Sequence, residues 1–324
     1  MNRILVIGAA GMVGRKLLAR LAKDGAIGAR EIAHATLHDI VAPEAPPRAS
    51  FEVRSIASDL SAPGEAEKLV AGRPDLIFHL AAIVSGEAEA DFEKGYRINL
   101  DGTRRLFEAI RKVGGGYQPR VVFTSSIAVF GAPFPEAIGD EFVSAPLTSY
   151  GTQKAISELL LSDYTRRGFF DGIGIRLPTI CVRPGKPNKA ASGFFSGIIR
   201  EPLSGQEALL PVAEDVRHWH ASPRAAVGFL LHAATLSGEK LGARRNLSMP
   251  GLSVTVAEQI GALRKVAGDA AARLIRREPD PAIIRMVAGW PRNFDARRAR
   301  ELGFAAESSF EQIIRIHIED ELRH

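Results

Sequence analysis

Tyr150 and Lys154 stand four residues apart in the stretch Tyr-Gly-Thr-Gln-Lys, and on a helix that spacing brings both side chains to one face. Such a pair can move a proton. A phenol with a pKa of roughly 10 is a poor base at neutral pH, yet a neighbouring ammonium and an oxidised nicotinamide each favour the tyrosinate. The tyrosinate could then take the proton of an alcohol. By itself the spacing also describes many half-exposed helical contacts, so its weight depends on the elements around it.

Those elements begin near the amino terminus. Arg3-Ile-Leu-Val-Ile7 has the unbroken apolar run of a buried strand and leads directly into Gly8-Ala-Ala-Gly11-Met-Val-Gly14. Gly8 permits a tight turn, Gly11 lets the backbone approach a pyrophosphate, and Gly14 allows close helix packing. The following stretch, Met12 to Lys23, carries apolar residues at Val13, Leu17, Leu18 and Leu21, which predicts a helix whose first amides face an anion. Strand, glycine turn and helix follow in the order a dinucleotide-binding loop requires.

A second strand, Glu31 to Leu37, ends at His38-Asp39, where a doubly wound sheet places the acid that holds the adenosine ribose hydroxyls. A carboxylate there repels a ribose phosphate, so Asp39 favours NAD over NADP. Ser58-Asp59-Leu60 and the run Asp75 to Leu80 with Ala81-Ala82 come next. Each falls where a strand meets a loop beside the cofactor.

The alternation of strands and helices to about Arg176 predicts an α/β fold, a Rossmann-type doubly wound parallel sheet. Residues 1–177 form its NAD-binding part, with 217–248 returning to it. A smaller substrate-binding region takes 178–216 and 249–324. Helical patterning marks Pro223 to Leu236 and the stretches after Thr255, and a strand is expected at Arg245 to Met249. The arginines of 273–277 and 297–300 are read as helix faces, with Asp295 capping a helix that Gly303 ends.

At 324 residues and 46% hydrophobic content, the chain can bury one large core or two smaller ones. No segment approaches membrane-spanning length. Ile4 to Ala10 is too short and glycine-broken for a signal peptide, and Cys181 is the single cysteine, so a cytoplasmic setting is expected and Cys181 is read as a buried thiol. The net charge of +5 is spread among acids, which argues against nucleic acid as a partner. No histidine has a carboxylate or thiolate at ligand spacing, so no metal is expected.

Taken together, these motifs resemble the extended short-chain dehydrogenase/reductases, a family that includes nucleotide-sugar epimerases and dehydratases. The resemblance spans nearly the whole chain, adding Asn99 with Gly102-Thr103 and Ser125-Ser126 with Gly131 to the motifs above. It implies that Ser126, Tyr150 and Lys154 are catalytic. It also implies cofactor contacts from Gly8, Gly11, Met12, Val13, Gly14, Asp39, Asp59, Leu60, Leu80, Ala81, Ala82, Asn99, Tyr150, Lys154, Pro178 and Thr179. A homodimer through the Thr103–Val113 and Tyr150–Tyr164 helices is implied in the same way, their stripes being Leu106, Phe107, Ile110 and Ile156, Leu159, Leu160.

The chain departs from the nucleotide-sugar members after Arg176, where Thr179 and then Cys181-Val-Arg-Pro-Gly185 replace their Asn with Gly-Pro. His220-Ala-Ser-Pro-Arg224 replaces a later His-Val-Asp-Asp segment. Residues 177–205 look most like members that oxidise the four-carbon sugar acid D-erythronate with NAD. A sugar acid needs a cationic fork, and Arg183, Lys186 and Lys189 are the candidates, with Arg183 first and Ser126 and Tyr150 beside it as substrate contacts. His218, Trp219 and His220 could line the same pocket, although a packing histidine is commoner. The competing expectations are a nucleotide-sugar epimerase or dehydratase, and a non-catalytic NAD sensor.

Overall fold

In the computed structural model, residues 2–185 and 192–322 are described. The main sheet takes its strands in chain order as β1 (Asn2–Ile7), β2 (Ala26–Ile27), β3 (Arg30–Asp39), β4 (Glu52–Ala57), β5 (Leu76–His79), β6 (Arg120–Ser126) and β7 (Asp171–Leu177), completed by Asn246–Ser248. In space they run β4, β3, β1, β5, β6, β7 and 246–248, all parallel, with the short β2 antiparallel to the start of β3. Strand order across the sheet therefore switches between β1 and β5. That crevice is where an open α/β sheet takes its ligand.

Ile4 to Ile7 are wholly buried, as a central strand covered on both faces must be. Ile4 and Val6 pack with Leu17, Leu18 and Leu21 of the Met12–Asp24 helix and with Phe229 and Leu230 of the Pro223–Thr235 helix. Leu5 and Ile7 point the other way, onto Leu106, Phe107 and Ile110 of the Gly102–Val113 helix and Leu161 of the Ser149–Arg166 helix. The two-residue period of the strand thus builds one core on each face.

A third cluster lies apart, around Phe195, Ile198, Leu210, Leu263, Phe310 and Ile314. Here Thr179–Ile180, Arg217–Ala221 and Leu252–Thr255 make a small sheet. Residues 217–221 therefore leave the main sheet, and the return to it begins with the helix at Pro223, which packs on the Met12–Asp24 helix. The expectation of a helix face at 273–277 is corrected. Gly268, at φ 84°, breaks the helical path, and Ile275–Arg277 pairs as a strand with Ala208–Leu210, where half-buried Ile275 joins the third cluster. Arg297–Glu301 is helical as expected, Asp295 accepts the Arg297 N–H at 3.1 Å, and Gly303 takes φ 93° just beyond.

Candidate active site

The glycine loop follows β1 so tightly that the backbone amides of Gly8 and Ala9 both donate to the His38 carbonyl, at 2.8 and 3.1 Å. A Cβ on Gly8 would lie 2.6 Å from the Ala81 nitrogen, and one on Gly14 would lie 2.3 Å from the Gly8 carbonyl oxygen. Neither position admits a side chain. Gly11 is different, because a Cβ there meets protein only at 3.4 Å and its open side faces the cavity. No side chain caps the first amides of the Met12–Asp24 helix, which leaves N–H donors aimed where a pyrophosphate would sit. The cradle fits a dinucleotide.

A cavity of about 480 Å³ runs from this loop across the sheet edge. Among the residues expected on the cofactor, Gly8, Gly11, Met12, Val13, Gly14, Leu80, Ala82, Tyr150, Lys154, Pro178 and Thr179 line it. Asp39, Asp59, Leu60, Ala81 and Asn99 lie outside it. The Asp39 carboxylate accepts the amides of Ala10 at 2.9 Å and Ile40 at 2.7 Å, bracing the loop from its outer side. Asp59 accepts from Ser61 and Arg97; burial raises its carboxyl, but these bonds outweigh that and hold it below the usual range. Asn99 is buried, accepting the Ile83 amide at 2.9 Å and donating to Gln153 at 2.8 Å. It joins the Leu80–Ile83 segment to the helix that carries Tyr150.

Tyr150 sits in the first turn of the Ser149–Arg166 helix, which Thr148 caps by accepting the Gly151 amide at 3.0 Å. Ser126 ends β6, and its hydroxyl accepts the Ala128 amide at 3.1 Å. Both side chains line the cavity with Arg183. Burial raises the Tyr150 phenol above its ordinary value, while the Ser126 hydroxyl and the Arg183 guanidinium draw it down.

The sequence spacing pointed instead to Lys154 as the charge beside the phenol. Lys154 is 2% exposed, its Nζ donates to the Thr124 carbonyl at 2.8 Å, and it lies 4.7 Å over the Phe123 ring and 5.8 Å from the Tyr150 ring centre. Burial pulls its pKa down to about 7, with Glu158 opposing. One turn farther on, Glu158 accepts the Ser125 hydroxyl and both prongs of Arg176, at 2.9 and 2.7 Å. This buried fork fixes β7 against the helix beneath Lys154. The cation whose charge lowers the phenol is Arg183, held by Nε donating to the Ile180 carbonyl at 3.0 Å and Nη2 to Ser192 at 2.9 Å.

Arg200, Ser196 and Trp290 also line the cavity, and sequence reasoning missed them. Ser192, Ser196 and Arg200 recur every four residues, a helical face that could have been found; Trp290 lies far along the chain in a loop and left no such signal. Lys186 and Lys189 lie outside the described residues. Of the three residues at 218–220, His218 lines the cavity, whereas Trp219 donates to the Met249 carbonyl at 3.2 Å and His220 is fully buried. Cys181 is buried, and that burial pushes its thiol up to about 12.

Residues 4–233 match the model of the NAD dependent epimerase/dehydratase family. The chain is 49% identical to a D-erythronate dehydrogenase of Cupriavidus necator over 98% of each chain. It is 42% identical to a D-erythronate dehydrogenase of Haemophilus influenzae, covering 98% of this chain and 99% of that one. A solved structure described as a nucleoside-diphosphate-sugar epimerase from Agrobacterium tumefaciens is 72% identical, with a TM-score of 0.97 over 99% of this chain and 94% of that chain.

Proposed function

The chain belongs to the NAD dependent epimerase/dehydratase family, and from that membership we propose that it oxidises D-erythronate with NAD at the C2 carbinol, giving the 2-oxo acid. The observation that carries this reading is Arg183. A guanidinium lining the same cavity as Ser126 and Tyr150 gives a carboxylate a partner next to the proton-transfer pair. The full-length likeness to two D-erythronate dehydrogenases supports the same substrate.

In this reading Arg183 binds the carboxylate and Ser126 orients the C2 hydroxyl. Tyr150 takes the hydroxyl proton on its phenolate oxygen as the carbonyl forms. Arg183 and Ser126 both favour that phenolate, against the burial that disfavours it. Lys154, anchored on the Thr124 carbonyl, is the donor on the ribose side. Bound NAD would supply the acceptor for the C2 hydride; the glycine loop would hold its pyrophosphate and Asp39 its adenosine ribose, with Asp59 and Leu60 beside that half and Asn99 bracing the helix of Tyr150. Mixing protein, NAD and D-erythronate should yield NADH and the 2-oxo acid in equal amounts, read by absorbance and mass spectrometry. A different oxo product would move the oxidation off C2, and no NADH would remove the substrate.

The name carried by the Agrobacterium structure favours a second reading, nucleotide-sugar epimerisation. An epimerase returns the hydride and accumulates no NADH, so the same assay separates the two. We also infer a homodimer. Leu159 is 72% exposed on the Ser149–Arg166 helix, beside half-buried Ile156 and Leu160, whereas the Leu106, Phe107 and Ile110 stripe is spent in the protein's own core. Light scattering should give twice the chain mass, reduced by Leu159→Glu. A cytoplasmic location suits NAD chemistry and is tested by fractionation.

A further inference from the structure

At the substrate end of the cavity, Thr179 and His218 are side by side on neighbouring strands, two residues of register apart on the same face. The Thr179 Oγ1 lies 2.7 Å from His218 Nε2, and His218 Nδ1 lies 2.9 Å from the Pro291 carbonyl oxygen. A carbonyl only accepts, so Nδ1 carries the proton. The ring is stacked on Phe195 at 5.2 Å and tilted against Trp290 at 5.4 Å, and it is 3% exposed. Burial holds its pKa at about 4, so at neutral pH the ring has one N–H and that proton is already placed. Its Nε2 therefore accepts, and the Thr179 hydroxyl must donate to it.

A threonine has one hydroxyl proton. With that proton committed to His218, the half-buried Thr179 oxygen offers the cavity lone pairs alone. A bare acceptor reads a donor.

We propose that the Thr179–His218–Pro291 chain is a specificity device that presents the Thr179 oxygen as a fixed acceptor for a hydroxyl of the substrate beyond the reacting carbinol. It selects polyhydroxy acids over simple 2-hydroxy acids. This rests on the sugar-acid reading above and deepens it. Recognition by an oriented acceptor penalises an analogue that lacks the hydroxyl, because a buried polar atom is then left unpaired. His218 acts through Thr179 as a positioning residue, and its anchor on Pro291 ties that orientation to the loop bearing Trp290. The device also moves Thr179, expected on the cofactor, to the substrate side.

Two measurements test it. Long-range proton–nitrogen correlation at neutral pH, with His218 assigned by loss of its signal in His218→Gln, should show a neutral ring protonated at Nδ1. A ring protonated at Nε2, or a charged ring, would donate to the Thr179 oxygen, free the hydroxyl proton to turn into the cavity, and overturn the proposal. In steady-state kinetics, the advantage of D-erythronate over (R)-2-hydroxybutyrate, the latter measured as substrate or competitive inhibitor, should fall about tenfold or more in Thr179→Val. Thr179→Ser should restore it. His218→Leu should reproduce the loss, and the double variant should add little to it. An equal loss for both acids with a raised KM for NAD would put Thr179 on the cofactor, and an unchanged advantage would remove the acceptor; either overturns the proposal. Failure of the wild-type protein to oxidise D-erythronate would instead sink the substrate reading, and the nuclear magnetic resonance result would still decide the tautomer.

Discussion

The two ends of the cavity are built in opposite ways. Its cofactor end is local: seven consecutive residues, Gly8 to Gly14, make the turn, the close approach and the helix start, and two of the three glycines leave no room for a Cβ. Its other end, where we place the substrate, is lined by Ser126, Tyr150, Thr179, Arg183, Arg200, His218 and Trp290, drawn from strands, helices and loops spread over more than half the chain. A contiguous cradle holds one ligand wherever the fold occurs. An assembled pocket can be re-specified piecemeal, by changing what arrives from each element.

The largest effect expected from breaking this arrangement falls where the two ends meet. Tyr150→Phe should lower kcat for D-erythronate by about a thousandfold while binding NADH with near wild-type affinity by fluorescence titration; near wild-type turnover would take Tyr150 out of the chemistry. Next comes damage to the cradle alone. Gly14→Val sets a Cβ against the Gly8 carbonyl, so dinucleotide affinity should fall by about a hundredfold and stability by about 1–3 kcal/mol, as overpacking does. Calorimetric binding and thermal melting check both.

Damage to the acid end should be smaller and separable. Arg183→Ala should raise KM for D-erythronate by about ten- to a hundredfold, the scale of hydrogen bonds to a charged group, and leave KM for NAD within about twofold. An unchanged KM for the acid would remove Arg183 from the substrate. The last test is a pH slope. Lys154 titrates at about 7 in the folded protein against an ordinary 10.5, so between those values the unfolded chain binds the extra proton and stability gains with rising pH. Denaturant titrations from pH 7 to pH 10 should show the wild type gaining on Lys154→Met. A parallel response would mean that the lysine keeps its charge.

Much of the cofactor end was legible in the sequence, because strand, glycine turn and helix are neighbours and their periodicities state the local structure. Tyr150 and Lys154 were legible for the same reason, as one turn of one helix. What the spacing could not convey was direction: Lys154 turns its ammonium to the Thr124 carbonyl and burial lowers its pKa to about 7, while Arg183, brought in from another element, is the cation whose charge lowers the phenol. Trp290 enters the cavity only through tertiary packing, whereas Arg200 shares a helical face with Ser196 that four-residue spacing states. The 273–277 stretch misled, because a run of arginines around Ile275 suits a solvated helix as well as an edge strand, and Gly268 with the pairing to 208–210 decides it.

Following NADH on mixing the protein with NAD and a panel of acids and sugar nucleotides bears most directly on the assignment. D-erythronate and its stereoisomers form one arm, UDP- and dTDP-sugars the other. NADH should form with D-erythronate ahead of every other compound. Silence with all the acids, together with isomerisation or dehydration of a sugar nucleotide, would contradict it and show that the pocket around Arg183 receives a different anion.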